Sequence, residues 1–153
     1  MAQRFLNDPA GYGVGYPIIG ANSITFNEAD AVYVNTSGFL DIASTSSAIL
    51  GFSLETAAAM ASDNQTNAKI CPKYAYAEGV IVVYPASGAI TQTMVGEYAN
   101  FSSATAGAQT VSNSTSATVG QFFITGFDPN NDGTTTDVVV KVAFRQDRTT
   151  ASS

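Results

Sequence analysis

Apolar and polar residues alternate in short runs along most of the chain, a pattern that is typical of β-strands. Residues 31–34 and 39–42 form two such runs, and a polar turn at 35–38 that contains a glycine separates them. This order predicts a β-hairpin. Residues 49–55 have apolar side chains at alternate positions, which predicts one buried face, and Gly51 in their middle is typical of a β-bulge.

The second half of the chain contains the most apolar runs. Residues 79–85 are almost continuously apolar, which predicts a strand buried on both faces. Residues 120–127 and 137–144 are predicted to pair as the last two strands, and residues 68–71 and 109–111 are weaker strand candidates. Several short strands at fairly regular spacing predict a β-sandwich or a β-barrel.

One segment favours a helix. Residues 55–62 are rich in alanine, which has the highest helix propensity, and Ser53 is a candidate N-cap. A helix of this length is marginal by itself. Residues 63–67 read as a polar loop. We therefore predict a mainly β fold, a single small domain with at most one short helix.

Residues 1–23 differ from the rest because glycines alternate with tyrosines and prolines. Such glycine density disfavours helix and regular strand, and the tyrosines indicate packing, so we predict an extended N-terminal arm. The arm lies on its own domain, reaches a neighbouring subunit or is disordered. The β domain then spans residues 24–145, and residues 146–153 form a flexible polar tail. The candidate contact residues of the arm are Phe5, Tyr12, Tyr16 and Pro17.

Composition narrows the classes of function. The 153 residues fit one domain, and only 12% of them are charged, about half the usual share. The net charge is −6 with six basic residues, so we expect neither nucleic acid nor an anionic membrane as a partner. The start of the chain has no apolar signal region, and no window is apolar enough to span a membrane, so we expect synthesis in the cytoplasm.

Catalytic side chains are scarce. The chain has no histidine, which removes the commonest general base and the commonest metal ligand. Cys71 is the single cysteine, so an intramolecular disulfide is excluded, and it reads as a small buried residue at a strand end. Paired carboxylates leave a small hydrolase formally open. We expect no enzymatic activity.

The loop after residue 127 resembles the first half of a calcium-binding loop. Asp128, Asn130 and Asp132 stand at its first three ligand positions, and Gly133 follows. The twelfth position is Val139, so the bidentate acid is missing. Because Asn, Asp and Gly are also the residues of β-turns, we predict a turn, with weak calcium binding as the alternative and no other cofactor.

Aromatic residues recur at strand positions. Tyr74, Tyr76 and Tyr84 could stack against a sugar, but we expect them to pack in the core or between subunits. The phenylalanines expected in the core are Phe122, Phe123, Phe127 and Phe144.

Two stretches resemble a known family. Residues 30–40, Asp-Ala-Val-Tyr-Val-Asn-Thr-Ser-Gly-Phe-Leu, and residues 49–55, Ile-Leu-Gly-Phe-Ser-Leu-Glu, resemble small capsid decoration (cement) proteins of tailed bacteriophages. Residues 89–98, 120–128 and 138–142 are similar to later segments of the same proteins. The resemblance covers roughly residues 24–145.

The resemblance implies a β-barrel or β-tulip-like domain on the outside of an icosahedral head. It implies a homotrimer at or near three-fold positions that binds the major capsid protein after shell expansion and stabilises the expanded head. The location would then be the capsid exterior of the virion. The alternatives are another virion component, such as a tail or fibre protein, and a carbohydrate-binding β module.

Overall fold

The computed structural model describes residues 3–15, 17–56, 58–127 and 137–142. Within these ranges the protein is mainly β, as predicted, with short helical turns only. The turns are two 3-10 turns, Pro9–Tyr12 and Gln92–Met94, and one π turn, Asn64–Ala68. The strands are β1 (Arg4–Phe5), β2 (Val14–Gly15), β3 (Thr25–Phe26), β4 (Ala31–Val34), β5 (Leu40–Ile42), β6 (Gly51–Ser53), β7 (Ala58–Ala59), β8 (Tyr74–Tyr76), β9 (Ile81–Pro85), β10 (Tyr98–Ala99), β11 (Phe101–Ser103), β12 (Thr110–Val111), β13 (Phe122–Phe127) and β14 (Asp137–Val142).

Two five-stranded antiparallel sheets form a sandwich-like fold. Sheet I has the strand order β1-β9-β14-β13-β10, and sheet II has the order β2-β8-β6-β4-β5. The described strands do not close into a barrel. Two-stranded ribbons, β3 with β7 and β11 with β12, complete the fold.

The main core lies between the two sheets. Phe52 and Ala75 of sheet II belong to one buried cluster with Val82, Phe122 and Val140 of sheet I. β9 is the second strand of sheet I, and its three central residues are fully buried, which confirms the prediction of a strand buried on both faces.

A second, smaller core covers the outer face of sheet II. Successive side chains of a strand point to opposite faces, so Ala31 belongs to the main core while Val32 points outward. Val32, Leu40 and Tyr74 pack there against Phe26 of β3 and against Met60. Where both of its faces are buried by these two cores, sheet II tolerates few changes of side-chain volume.

The N-terminal segment joins the two sheets. β1 pairs with β9 of sheet I, and β2 pairs with β8 of sheet II. The ring of Phe5 stands edge-on to that of Phe52, with 6.3 Å between centroids. Gly20 also bridges to Leu40. The described part of this segment therefore packs against both sheets of the chain.

The hairpin and the last strand pair agree with the sequence. β4 pairs with β5 across a turn in which Gly38 has a φ of 85°. β13 pairs with β14, and β12 lies within the predicted residues 109–111. Residues 143 and 144 lie outside the described residues.

The predicted helix at residues 55–62 is wrong. Residues 58 and 59 form β7, which pairs with β3, and Ser53 is a buried residue of β6, not a helix cap. The helix propensity of a few alanines is a small free energy, and pairing with β3 outweighs it.

The predicted weak strand at residues 68–71 is also wrong. The π turn Asn64–Ala68 ends there, and Lys69 follows with a φ of 55°. The fully buried side chain of Asn64 donates to the Gly20 carbonyl at 2.6 Å and accepts from the Ile70 N–H at 2.7 Å. The side-chain amide of Asn64 therefore makes the hydrogen bonds that a neighbouring strand would otherwise make. Cys71 is half-buried and lies on no strand, contrary to prediction.

Gly51 marks a close approach of two strands and not the predicted bulge. The register of β6 with β8 is continuous at this position. A Cβ atom on Gly51 would overlap the carbonyl oxygen of Ala75 on the neighbouring strand. The register shifts among the described strands lie in β13, between Ile124 and Gly126, and in β11, between Phe101 and Ser103.

Candidate contact surface at the β2 edge

Glycines of β2 face tyrosines of β8. Gly15 pairs with Tyr74, and the Tyr76 N–H donates to the Gly13 carbonyl at 3.0 Å. A Cβ on Gly15 would lie 2.5 Å from Cζ of Tyr74, and one on Gly13 would lie 3.3 Å from the Tyr76 ring. The Gly-x-Gly pattern of the N-terminal segment thus leaves room for the Tyr-x-Tyr pattern of β8.

A third glycine–tyrosine contact fixes the turn before β2. The ring of Tyr12 lies against Gly79, where any Cβ would overlap it. Asn7 holds the same turn, because its Nδ2 donates to the Gly79 carbonyl at 2.9 Å and its Oδ1 accepts from the Ile81 N–H at 3.0 Å. The Asp8 carboxylate accepts from the Ala10 N–H at 3.2 Å and caps the turn.

Three large apolar side chains remain exposed at this edge. The exposed fractions are 51% for Tyr12, 38% for Val14 and 42% for Tyr76. Among the described residues, the other large exposed apolar side chains are Val34 and Ile70. We call Tyr12, Val14 and Tyr76 the β2 surface. Exposed tyrosines are enriched at protein contact surfaces.

Tyr74 lies beneath this surface. Its ring meets that of Tyr76 edge-on, with centroids 5.3 Å apart, and its side chain is 2% exposed. Burial, with a smaller contribution from the hydrogen bond to the Tyr76 hydroxyl, raises the pKa of Tyr74 to about 12. Burial also raises the pKa of Tyr84, and the nearby Asp30 carboxylate adds to this.

These pKa shifts predict a loss of stability in alkali. A tyrosine whose pKa is higher in the folded protein stabilises the fold fully below its unfolded pKa of 10.0. We expect the free energy of unfolding to fall as the pH rises from about 10 toward about 12. Urea denaturation at successive pH values measures this, and Tyr74→Phe should flatten the pH dependence. An unfolding free energy that stays constant to pH 12 would contradict the expectation.

The carboxylate of Asp30 holds the N-terminal segment in place. This role was not predicted from the sequence. Its carboxylate is fully buried and accepts from the Asn27 N–H at 2.9 Å and from the Gly107 N–H at 2.7 Å. The side-chain amide of Gln3 donates to the same carboxylate. The only signal in the sequence is an acid that stands directly before the apolar run of β4.

Buried amides extend this network. The Gln109 Oε1 accepts from the Ala31 N–H at 2.8 Å, and the Gln109 N–H donates to the Gln3 Oε1 at 3.2 Å. Gln3 therefore bridges Asp30 and Gln109, and it fixes the chain just before β1. Gln121 plays a similar role, because its Nε2 donates to the carbonyls of Ser44 and Ser47 at 2.9 Å and 2.8 Å.

The predicted contact residues have different surroundings. Tyr12 and Pro17 are exposed, while Phe5 packs partly buried against the main core. Tyr16 lies outside the described residues, as do the calcium candidates Asp128, Asn130 and Asp132.

The described ranges contain no group of three or more Cys, Asp or Glu side chains arranged to hold a metal ion. Of the helical segments described, none is long and apolar enough to cross a membrane. Of the tyrosines considered for sugar stacking, Tyr74 and Tyr84 are buried and Tyr76 is exposed.

Comparisons with known proteins found no matching family model, no matching curated protein and no matching solved structure.

Proposed function

We propose that this protein is a non-enzymatic virion component that binds the outside of a phage capsid and stabilises the expanded head. Its partners in this role are the major capsid protein and further copies of itself. The resemblance of residues 30–40 and 49–55 to decoration proteins motivates the proposal.

The observation that carries the proposal is the β2 surface. It presents Tyr76 on the outer face of sheet II, Val14 on the inner face and Tyr12 in the turn before β2, and glycine contacts and the Asn7 hydrogen bonds hold this edge in place. A pre-organised surface loses little conformational entropy on binding, and tyrosine supplies a large contact area. These are properties that a structural binding protein needs.

The segments that resemble decoration proteins support the proposal because they lie in strands of the two sheets. Residues 30–40 span β4 and the start of β5, and residues 49–55 contain β6, so they form neighbouring strands of sheet II. The later similar segments contain β13 and most of β14, which pair in sheet I. The likeness therefore involves the scaffold that carries the β2 surface.

The binding of many copies to one shell would compensate for the small contact area of each copy. With 12% charged residues, the protein gains little from long-range electrostatic attraction. Many weak contacts on one shell act together, because each bound copy raises the effective concentration of the others.

Co-sedimentation with phage heads tests the proposed function. We expect saturable binding of the purified protein to expanded heads and none to unexpanded heads. Binding to neither form would overturn the proposal, and equal binding to both would remove the role in locking the expanded shell. Light scattering on the free protein gives its oligomeric state and distinguishes the trimer that the resemblance implies from the two-fold dimer inferred below.

Substitutions on the β2 surface test which side chains make contact. We expect Tyr12→Ser with Tyr76→Ser to weaken head binding at least tenfold, because both exposed rings are lost. The matched control is Val34→Ser, an exposed apolar residue at the tip of the β4–β5 hairpin. Truncation of residues 1–23 is a poorer test, because it removes β1 from sheet I and β2 from sheet II.

Sugar binding is the second candidate, and the exposed rings of Tyr12 and Tyr76 favour it. Tyrosine rings stack on sugars, and the exposed Asp8 and Glu78 lie in sequence next to Asn7 and Gly79, which are hydrogen-bonded to each other. If the protein binds neither expanded nor unexpanded heads but binds a glycan array through these tyrosines, sugar binding replaces capsid binding as its function.

A further inference from the structure

Among the described strands, β2 is the last strand of sheet II on its side, and no described strand pairs with its outer edge. In an antiparallel pair, alternate residues point their N–H and C=O groups away from the partner strand. Gly13 and Gly15 bond to β8, so the backbone groups of Val14 point outward. Outside the β2–β8 ladder, no backbone–backbone hydrogen bond between described residues reaches the N–H or the carbonyl of Val14.

We propose that this edge pairs with the same edge of a second copy of the chain, antiparallel and across a two-fold axis at Val14. The two Val14 residues then exchange N–H···O=C hydrogen bonds, and the two sheets II join into one continuous sheet. The inference rests on the role of the β2 surface as a protein contact and does not require a capsid.

The shape of the β2 edge allows the same edge of a second copy to pair with it. Paired residues share one face of a sheet, so Gly13 and Gly15 lie on the outer face with the tyrosines of β8, while Val14 lies on the inner face with Ala75. The outer face of β2 therefore carries no side chain that would obstruct a neighbouring strand. Opposite each other, two Val14 side chains form a β-branched cross-strand pair.

Charge selects the antiparallel direction. Asp8 and Glu78 lie near the end of the edge at which β2 begins, and Lys73 directly precedes β8 at the other end. All three residues are exposed. Antiparallel pairing turns the acidic end of one copy toward the basic end of the other, whereas parallel pairing would bring like charges together.

Sedimentation velocity of the full chain over a range of concentrations tests the pairing without any head present. We expect a monomer–dimer equilibrium whose dissociation constant rises at least tenfold in Val14→Lys, because an inward charge at an edge blocks strand addition. The matched control Val34→Lys places the same charge on an exposed valine of the same sheet and should leave the constant unchanged. Circular dichroism and thermal melting confirm that both variants fold.

Amide hydrogen exchange gives a readout of the backbone contact itself. We expect the exchange of the Val14 N–H to slow as the protein concentration rises, while the exchange of the Val34 N–H stays constant. A charge exchange tests the direction: Lys73→Glu should weaken the dimer several-fold, and Lys73→Glu combined with Glu78→Lys should restore it.

The outcomes separate this inference from the proposed function. A monomer at every concentration, a trimer, or a dimer that Val14→Lys leaves intact would overturn the pairing, whatever the protein does on heads. A dimer that depends on Val14 supports the pairing even if no head is bound. Because antiparallel pairing of like edges closes a two-fold contact, a trimer cannot be built from it alone.

Discussion

Gly51→Ala is expected to be the most destabilising single substitution in sheet II. Gly51 pairs with Val32 on one side and with Tyr76 on the other, so it lies inside the sheet. An added Cβ would overlap the Ala75 carbonyl oxygen, which is a backbone atom that cannot rotate away. We expect a loss of about 3 kcal/mol or more in the free energy of unfolding, measured by urea denaturation.

Gly126→Ala is the matched control for this experiment. Gly126 is also a strand glycine, but a Cβ there meets no atom of the described residues within 4 Å, and its φ is not in the left-handed region. We expect its effect to stay within about 0.5 kcal/mol. If both variants lost similar amounts of stability, the close approach of β6 and β8 would not be the reason for a glycine at position 51.

Asp30→Ala is expected to have the second largest effect. The substitution leaves the N–H groups of Asn27 and Gly107, and the amide of Gln3, without the carboxylate that now accepts from them. The donors are half-buried or exposed, but hydrogen bonds to a charged group contribute about 1.5–3 kcal/mol each. We expect a loss of about 3 kcal/mol or more, which corresponds to a urea midpoint lower by about 1–2 M.

The control and a second readout make this result specific. Asp63→Ala removes an exposed carboxylate with one side-chain partner, Asn67, and should change stability by about 0.5 kcal/mol at most. Faster hydrogen exchange at the Gly107 N–H in Asp30→Ala would locate the damage. A urea midpoint equal to that of Asp63→Ala would show that the buried network contributes little.

The fold class was predictable because its signals are local. The turn at residues 35–38 and the alternation beside it identified the β4–β5 hairpin, and the continuous apolar run identified β9. The same local reasoning failed at residues 55–62, where a few alanines favour a helix only weakly and the pairing with β3 decides the conformation.

The candidate surface was only partly predictable. Tyr12 was identified as a contact residue from its glycine-rich surroundings, and it is exposed in the structure. Val14 was not identified, and Tyr76 was considered only together with Tyr74 and Tyr84, because exposure at an edge depends on which strands are neighbours. The order β2-β8 cannot be read from either segment alone, since Gly15 and Tyr74 are far apart in the chain.

The sequence by itself determined that this protein is built from short strands with turns between them, and that its charge is low and acidic. The spacing of apolar residues and the choice of turn residues depend on near neighbours in the chain, so both can be recognised without a structure. Only the tertiary structure decided why Gly13, Gly15 and Gly51 are glycines and why Asp30 is buried. Those reasons are contacts between distant segments, such as the 77 residues that separate Asp30 from Gly107, and they exist only once the strands have been ordered into sheets.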